Sequence, residues 1–133
     1  MSWQAYVQDH MMRPGDMVAA GIYGLDGGCW AAEGCIRPAP AEITRLITLI
    51  QDKETDFNGI KVAGISFLHV SHDSSEGSII LNRINAPEKE KYTCAGYLAN
   101  NCFVFGAVSE NYKLGNCSKY ACHLRDYLKQ SGF

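Results

Sequence analysis

The chain has 133 residues, 47% of them hydrophobic and 20% charged, a balance that fits a folded globular protein and excludes a disordered or fibrous one. A formal net charge of −2 excludes the broad basic field that a nucleic-acid-binding protein needs to attract phosphates. One core of ordinary size accounts for this length, so residues 1–133 are read as a single domain, by default a monomer.

The opening Met1-Ser2-Trp3-Gln4-Ala5-Tyr6 contains no basic segment followed by an apolar run, and no stretch of roughly 18 apolar residues occurs anywhere. A cytoplasmic, reducing setting is therefore expected. There the six cysteines (Cys29, Cys35, Cys94, Cys102, Cys117 and Cys122) are expected as free thiols. Their spacings lack paired C-x-x-C units, which points to buried small hydrophobes instead of zinc ligands.

Trp3, Tyr6, Val7, His10 and Met11 recur at helical intervals and predict a helix over 3–11, stopped by Arg13-Pro14-Gly15-Asp16. Two strands, 18–23 and 29–32, follow across Leu25-Asp26-Gly27-Gly28, where Asp-Gly supplies the positive φ of a hairpin turn. Pro38 and Pro40 introduce a second helix over 42–51, with Ile43, Leu46, Ile47 and Ile50 on one stripe. After Asp56-Phe57-Asn58-Gly59 the pattern turns strand-like over 60–62, 65–70, 78–84, 92–99 and 102–108, and Asn100-Asn101 suits a left-handed two-residue turn. Cys117, Ala121, Leu124 and Leu128 then mark a helix over 117–130 that ends at Gly132. This order predicts an α+β fold built on a central antiparallel sheet, with the terminal helices side by side.

The segment His69-Val70-Ser71-His72-Asp73 offers two imidazoles, a hydroxyl and a carboxylate within five residues. On a continuous strand, residues 69 and 72 point to opposite faces and cannot share a metal, and a Ser-His-Asp triad needs members from separate parts of the fold. A strand end running into a polar turn is expected instead. The glycines at 21, 24, 27 and 28 form no nucleotide-binding pattern, and Glu88-Lys89-Glu90-Lys91 reads as a solvated turn. No catalytic site, metal or cofactor is expected.

The aromatic residues near the two ends form a different kind of pattern. Trp3 and Tyr6 lie three apart on a helix, and Tyr127 lies four after His123 and seven after Tyr120, with Phe133 last. Residues three apart on a helix have their Cβ atoms about 5–6 Å apart. A polyproline II ligand advances about 3.1 Å per residue, so such rings can meet prolines roughly two residues apart.

Ser2-Trp3-Gln4-Ala5-Tyr6-Val7, Cys29-Trp30-Ala31-Ala32 and Asp126-Tyr127-Leu128-Lys129-Gln130-Ser131-Gly132-Phe133 together resemble the profilin family. Pro40-Ala41-Glu42-Ile43, Asn58-Gly59 and Leu114-Gly115-Asn116-Cys117 extend the resemblance over nearly the whole chain. It implies a profilin-like sheet with both terminal helices on one face and a further helix on the other side. It also implies a non-enzymatic, cytoskeleton-associated protein that binds monomeric actin, proline-rich partners such as actin nucleation or elongation factors, and, weakly, phosphoinositide lipids. Carried over by position, the proline groove would be Trp3, Tyr6, Trp30, Tyr127 and Phe133. The actin surface would be Phe57, Arg83, Gly115, Ser118 and Lys119. Ser66 stands where the family often has a basic residue, which motivates a rival reading, a proline-binding module with weak or lost actin affinity. A thiol- or metal-dependent enzyme is the other rival.

Overall fold

The computed structural model describes residues 2–13, 15–53, 56, 58–83, 86–87, 90–109 and 114–133. Helix α1 (Trp3–Val7) is capped by the Ser2 hydroxyl, which accepts from the Ala5 N–H at 3.2 Å, and runs on as a π-helical turn over Gln8–Met12. The expected single helix over 3–11 is thus an α-turn followed by a wider one, closed by the Arg13 N–H on the Gln8 carbonyl at 2.8 Å. Of the expected stop, Pro14 lies outside the described residues.

Strands β1 (Ala19–Gly24) and β2 (Cys29–Gly34) form the first hairpin, with Gly27 at φ +88° and the Asp26 carboxylate accepting from the Gly28 N–H. Helix α2 (Pro40–Ile50) starts on a proline, whose missing N–H is no loss in the first turn. The Glu42 carboxylate turns back to accept from the Ala39 N–H at 2.8 Å. It also reaches the N–H groups of Ala63 and Gly64, at 2.7 and 3.1 Å. Those two residues form a left-handed turn (φ 53° and 75°) between β3 (Ile60–Val62) and β4 (Ile65–Asp73), so one carboxylate caps the helix and fixes the hairpin.

β5 (Ser78–Asn82), β6 (Thr93–Leu98), β7 (Cys102–Val108) and α3 (Leu114–Gln130) complete the chain. Ile84, expected in the fifth strand, is outside the described residues, as are Glu88 and Lys89. Seven strands pair antiparallel in the order β2-β1-β7-β6-β5-β4-β3. The inner face toward α2 buries Ile43, Leu46 and Ile50 against Tyr23, Phe103 and Phe105. The other buries Val7, Met11, Cys117, Ala121, Leu124 and Leu128, so α1 and α3 share one face and α2 takes the other. This is the architecture that the resemblance implied.

Arg125 locks α3 down. It is 4% exposed, and its guanidinium donates to the Glu76 carboxylate (2.6 Å), the Glu76 carbonyl (2.6 Å) and the Leu98 carbonyl (3.2 Å). A buried charge is tolerable only when paired and hydrogen-bonded in this way.

Three local expectations need correction. The fourth strand runs on through Asp73 because it carries a β-bulge: register steps from His69↔Leu81 to Ser71↔Ile80, leaving Val70 unpaired. The extra residue breaks the period of two, so His69 and His72 come to the same face and their rings meet. The Asn100-Asn101 turn is not left-handed, since among the described residues only Asp52 and Ala63 are non-glycines with positive φ. It closes through the Ala99 N–H on the Cys102 carbonyl at 2.8 Å. Finally, Cys94, Cys102 and Cys117 are buried as small hydrophobes, whereas Cys29 and Cys35 are exposed, and all six thiols are free.

Candidate functional site

The two ends of the chain meet over the β2 edge of the sheet. α1 is fastened to β2 by glutamines: Gln4 Nε2 donates to the Ala32 carbonyl at 3.2 Å and to the Glu33 carboxylate, which also accepts from Gln8 Nε2 at 3.0 Å. α3 ends in a Schellman turn, with Gly132 at φ +94° and the Phe133 N–H on the Leu128 carbonyl at 2.8 Å. The Phe133 carbonyl in turn accepts from the Asn101 N–H, so the β6–β7 turn holds the last residue in place.

Trp30 reaches the same place through a second bulge. Register passes from Ile22↔Ala31 to Tyr23↔Cys29, so Trp30 is the unpaired residue of β2. Gly24 clears the space for it, because a Cβ there would lie 3.1 Å from the indole Nε1. Trp3 then sits at the hub, with ring centroids 4.8 Å from Trp30, 4.8 Å from Phe133 and 5.9 Å from Tyr6. Tyr6 lies 5.7 Å from Tyr127. All five ring positions singled out in the sequence therefore form one continuous strip.

The strip is longer than expected. His10 stacks on Tyr127 at 5.4 Å and lies 6.4 Å from His123, both of which follow from i, i+4 spacing to Tyr6 and Tyr127. Beside it, a depression of about 290 Å³ is lined by His123, Asp126, Tyr127 and Gln130. The Tyr6 hydroxyl is hydrogen-bonded to Tyr127, which pushes its pKa above the ordinary tyrosine value and keeps it protonated. Tyr127 and Phe133 are exposed although they are in ring contact, so the strip is open to solvent along this side. The surface is apolar with polar tips, the indole N–H groups and the phenol hydroxyls lying among the rings.

A second surface lies on the same face of the sheet, beyond α3. α3 packs on β6 and β7 and, among the described residues, side chains of β4 stay exposed on that face. Lys61 pairs with Ser66 in register, so both project to the face opposite Ile60 and Phe67, and Leu68 projects with them. Leu68 and Val70 are each 53% exposed, a pair that sequence reasoning missed. Leu68 broke the alternation beside buried Phe67, which was the available signal. A cavity of about 370 Å³ between residues 64–68, Asn82 and Arg83 adjoins them.

Arg83 donates to the Glu90 carbonyl at 3.4 Å and lies 6.0 Å from the Tyr92 ring. The register Leu68↔Asn82↔Thr93↔Val108 puts it at the end of the sheet from which the chain leads into α3. There Gly115 and Lys119 are exposed, and Ser118, half-buried, hydrogen-bonds Tyr97. Phe57 lies outside the described residues. Among the described residues, no group of three or more histidine, cysteine or acidic side chains could hold a metal ion, and no helix is long and apolar enough to cross a membrane.

The profilin family model matches residues 1–133. Profilin-P of Physarum polycephalum is 28% identical over 134 residues, covering all of both chains. Mouse profilin IIa, solved in complex with a double repeat from the FH1 domain of mDia1, superposes with a TM-score of 0.83 at 25% identity and covers all of both chains. LokiProfilin1, solved in complex with rabbit actin, superposes with a TM-score of 0.68 at 16% identity over 96% of this chain and 98% of its own. With its sheet order, its paired terminal helices and a family match over its whole length, the chain belongs to the profilin family.

Proposed function

We propose that this protein binds proline-rich segments through the aromatic strip and monomeric actin through the surface beside α3, and so regulates actin polymerisation in the cytoplasm. The observation that carries the reading is the strip itself, in which Trp3, Tyr6, Trp30, Tyr127 and Phe133 arrive from three elements and the chain end to stand 4.8 to 5.9 Å apart. Those steps approach the roughly 6 Å that polyproline II advances in two residues. Proline rings pack on the aromatic faces while Trp and Tyr donors take the ligand carbonyls, and the ligand is already extended, so little ordering entropy opposes binding.

For actin, the candidates are Arg83, Gly115, Ser118 and Lys119, with Phe57 retained from the sequence. The uncovered Leu68 and Val70 support the reading as apolar contacts on the same sheet face. Ser66 lacks the basic group often found at its place, but Lys61 stands directly across from it and supplies a cation there. That favours retained actin affinity over the rival of a proline-binding module alone. Arg83 and Lys119 give only modest attraction to anionic lipid, about 1 kcal/mol per cation near a charged surface, so phosphoinositide binding is weak. The protein acts by holding partners and not as an enzyme. With both surfaces engaged, actin and a proline-rich partner are tethered to one molecule, which raises their effective concentration.

Two titrations test this. Intrinsic tryptophan fluorescence should change saturably with poly-L-proline, and monomeric actin should form a complex in sedimentation or anisotropy. Absence of an actin complex at tens of micromolar, roughly −6 kcal/mol, would leave only the proline-binding rival.

A further inference from the structure

The aromatic strip runs out at Trp30, and the turn just beyond it carries a carboxylate. Gly24 lies on the same face of β1 as Ala20 and Ile22, which pack with Val7 and Met11 under the terminal helices. A Cβ on Gly24 would stand 2.8 Å from Asp26 Oδ1 and 3.1 Å from Trp30 Nε1, so the carboxylate sits beside the indole on the face that holds the strip. The turn fixes it there. Asp26 Oδ1 accepts from the Gly28 N–H at 2.9 Å, the Gly24 N–H donates to the Gly28 carbonyl at 2.8 Å, and the Gly27 N–H donates to the Gly24 carbonyl at 3.0 Å. Gly27 in turn packs against the Pro40 carbonyl at the start of α2. Leu25, which precedes Asp26, is 42% exposed.

The charges of the surrounding elements are mostly of one sign. Residues 15–34, which include β1, the turn and β2, hold Asp16, Asp26 and Glu33 and no lysine or arginine, and residues 2–12 add Asp9 and His10. Glu33 is engaged by Gln4 and Gln8, and Asp16 by Asn116. The β6–β7 turn that holds Phe133 is uncharged. On the other elements that meet here the cations are Lys129, one turn before Phe133, and Arg37, which donates to the Gly34 carbonyl at the far end of β2.

Proline has no N–H, so a run of prolines gives a carboxylate nothing to accept. The ring steps Trp30–Trp3, Trp3–Tyr6 and Tyr6–Tyr127 measure 4.8, 5.9 and 5.7 Å and take about two prolines each, so about six prolines span the strip. The ligand residue beyond Trp30 then meets the β1–β2 turn. An exposed apolar side chain and a carboxylate stand side by side in that turn, which matches the alkyl stem and charged head of a basic residue. We propose that Leu25 and Asp26 form a subsite that selects proline-rich segments flanked by a lysine or arginine, an inference that rests on the proline reading of the strip.

Tryptophan fluorescence titrations of the whole chain at low ionic strength test this. The probes are decaproline, acetylated and amidated so that it carries no charge, and the same peptide with one lysine or one glutamate added at either end. Lysine at one of the two ends should tighten binding by about two- to fivefold over decaproline, glutamate at that end should weaken it, and added salt should shrink both differences. In Asp26→Asn the side-chain carbonyl still accepts from the Gly28 N–H, and the affinity ratio of the lysine peptide to decaproline should fall to about one. Equal affinities of the wild type for decaproline and both lysine peptides overturn the proposal. So does a lysine preference that persists in Asp26→Asn, which would assign the cation to another carboxylate. Failure of decaproline itself to bind sinks the proline reading, and the subsite with it.

Discussion

Replacing Trp3 with alanine tests the aromatic strip at its hub. Trp3 is the one ring in contact with Tyr6, Trp30 and Phe133, at 5.9, 4.8 and 4.8 Å. Each such pair is worth about 0.5–1.5 kcal/mol beyond area burial, so the variant loses its own ligand contact and the ordering of three neighbours. That places it at the upper end of the anchor range, about 2–3 kcal/mol, or roughly 30- to 150-fold in Kd for poly-L-proline. Trp30 remains as the fluorescent reporter, and thermal unfolding of the same samples separates lost binding from lost folding. Phe133→Ala supplies the comparison: its ring touches Trp3 and Trp30, and its backbone stays fixed by the Asn101 contact. It should weaken binding less, by about 1–2 kcal/mol, with little change in stability. The reasoning fails if folded Trp3→Ala binds within twofold of wild type, or if Phe133→Ala is the more damaging of the two.

Gly132→Ala puts an L side chain at φ +94° with nothing within 4 Å of the new Cβ, so its effect is conformational, about 1–2 kcal/mol. It should loosen Phe133 and weaken proline binding, with Gly132→Asn milder; equal affinity in all three would detach Phe133 from the strip. Burial pushes the thiols of Cys102 and Cys117 up to about 11 and about 12, and that of Cys94 well above its ordinary value. At pH 8 a thiol reagent should therefore label Cys29 and Cys35 quickly, Cys122 slowly and the other three only on unfolding, as peptide mapping would show.

Helix and strand order was legible because burial follows simple periods where one face meets the core. Ile43, Leu46, Ile47 and Ile50 make α2 readable at a glance, and each is buried. The ring positions on α1 and α3 were legible for the same reason, since i, i+3 and i+4 spacing fixes neighbours on a helix. What escaped was set by single extra residues. A bulge leaves no compositional mark, so the strand period wrongly separated His69 from His72 and gave no reason for Trp30 to face the terminal helices. The Asn100-Asn101 turn was misjudged through propensity: asparagine tolerates the left-handed region but does not require it, and here Asn101 is occupied in holding Phe133. Nor does propensity place Ala63 at φ 53°, a conformation held by the Glu42 carboxylate from a distant helix.

The two bulges sit in the two strands that flank the sheet's ordinary core pairing, and each delivers a side chain that regular alternation would send elsewhere. In β2 the extra residue is Trp30, which closes the aromatic strip onto Trp3. In β4 it is Val70, which exposes an apolar side chain and aligns two histidines beneath α2's terminal turn. Removing the extra residue from either bulge would restore the ladder and keep the inward stripe on both sides of it. Deleting Val70 should thus remove one exposed apolar side chain and leave His69 and His72, then two apart, on one face, with the aromatic strip intact. The same logic ties the proposed proline surface to β2 and the paired imidazoles to β4. They are separate local irregularities of one sheet, so each can be changed without the other.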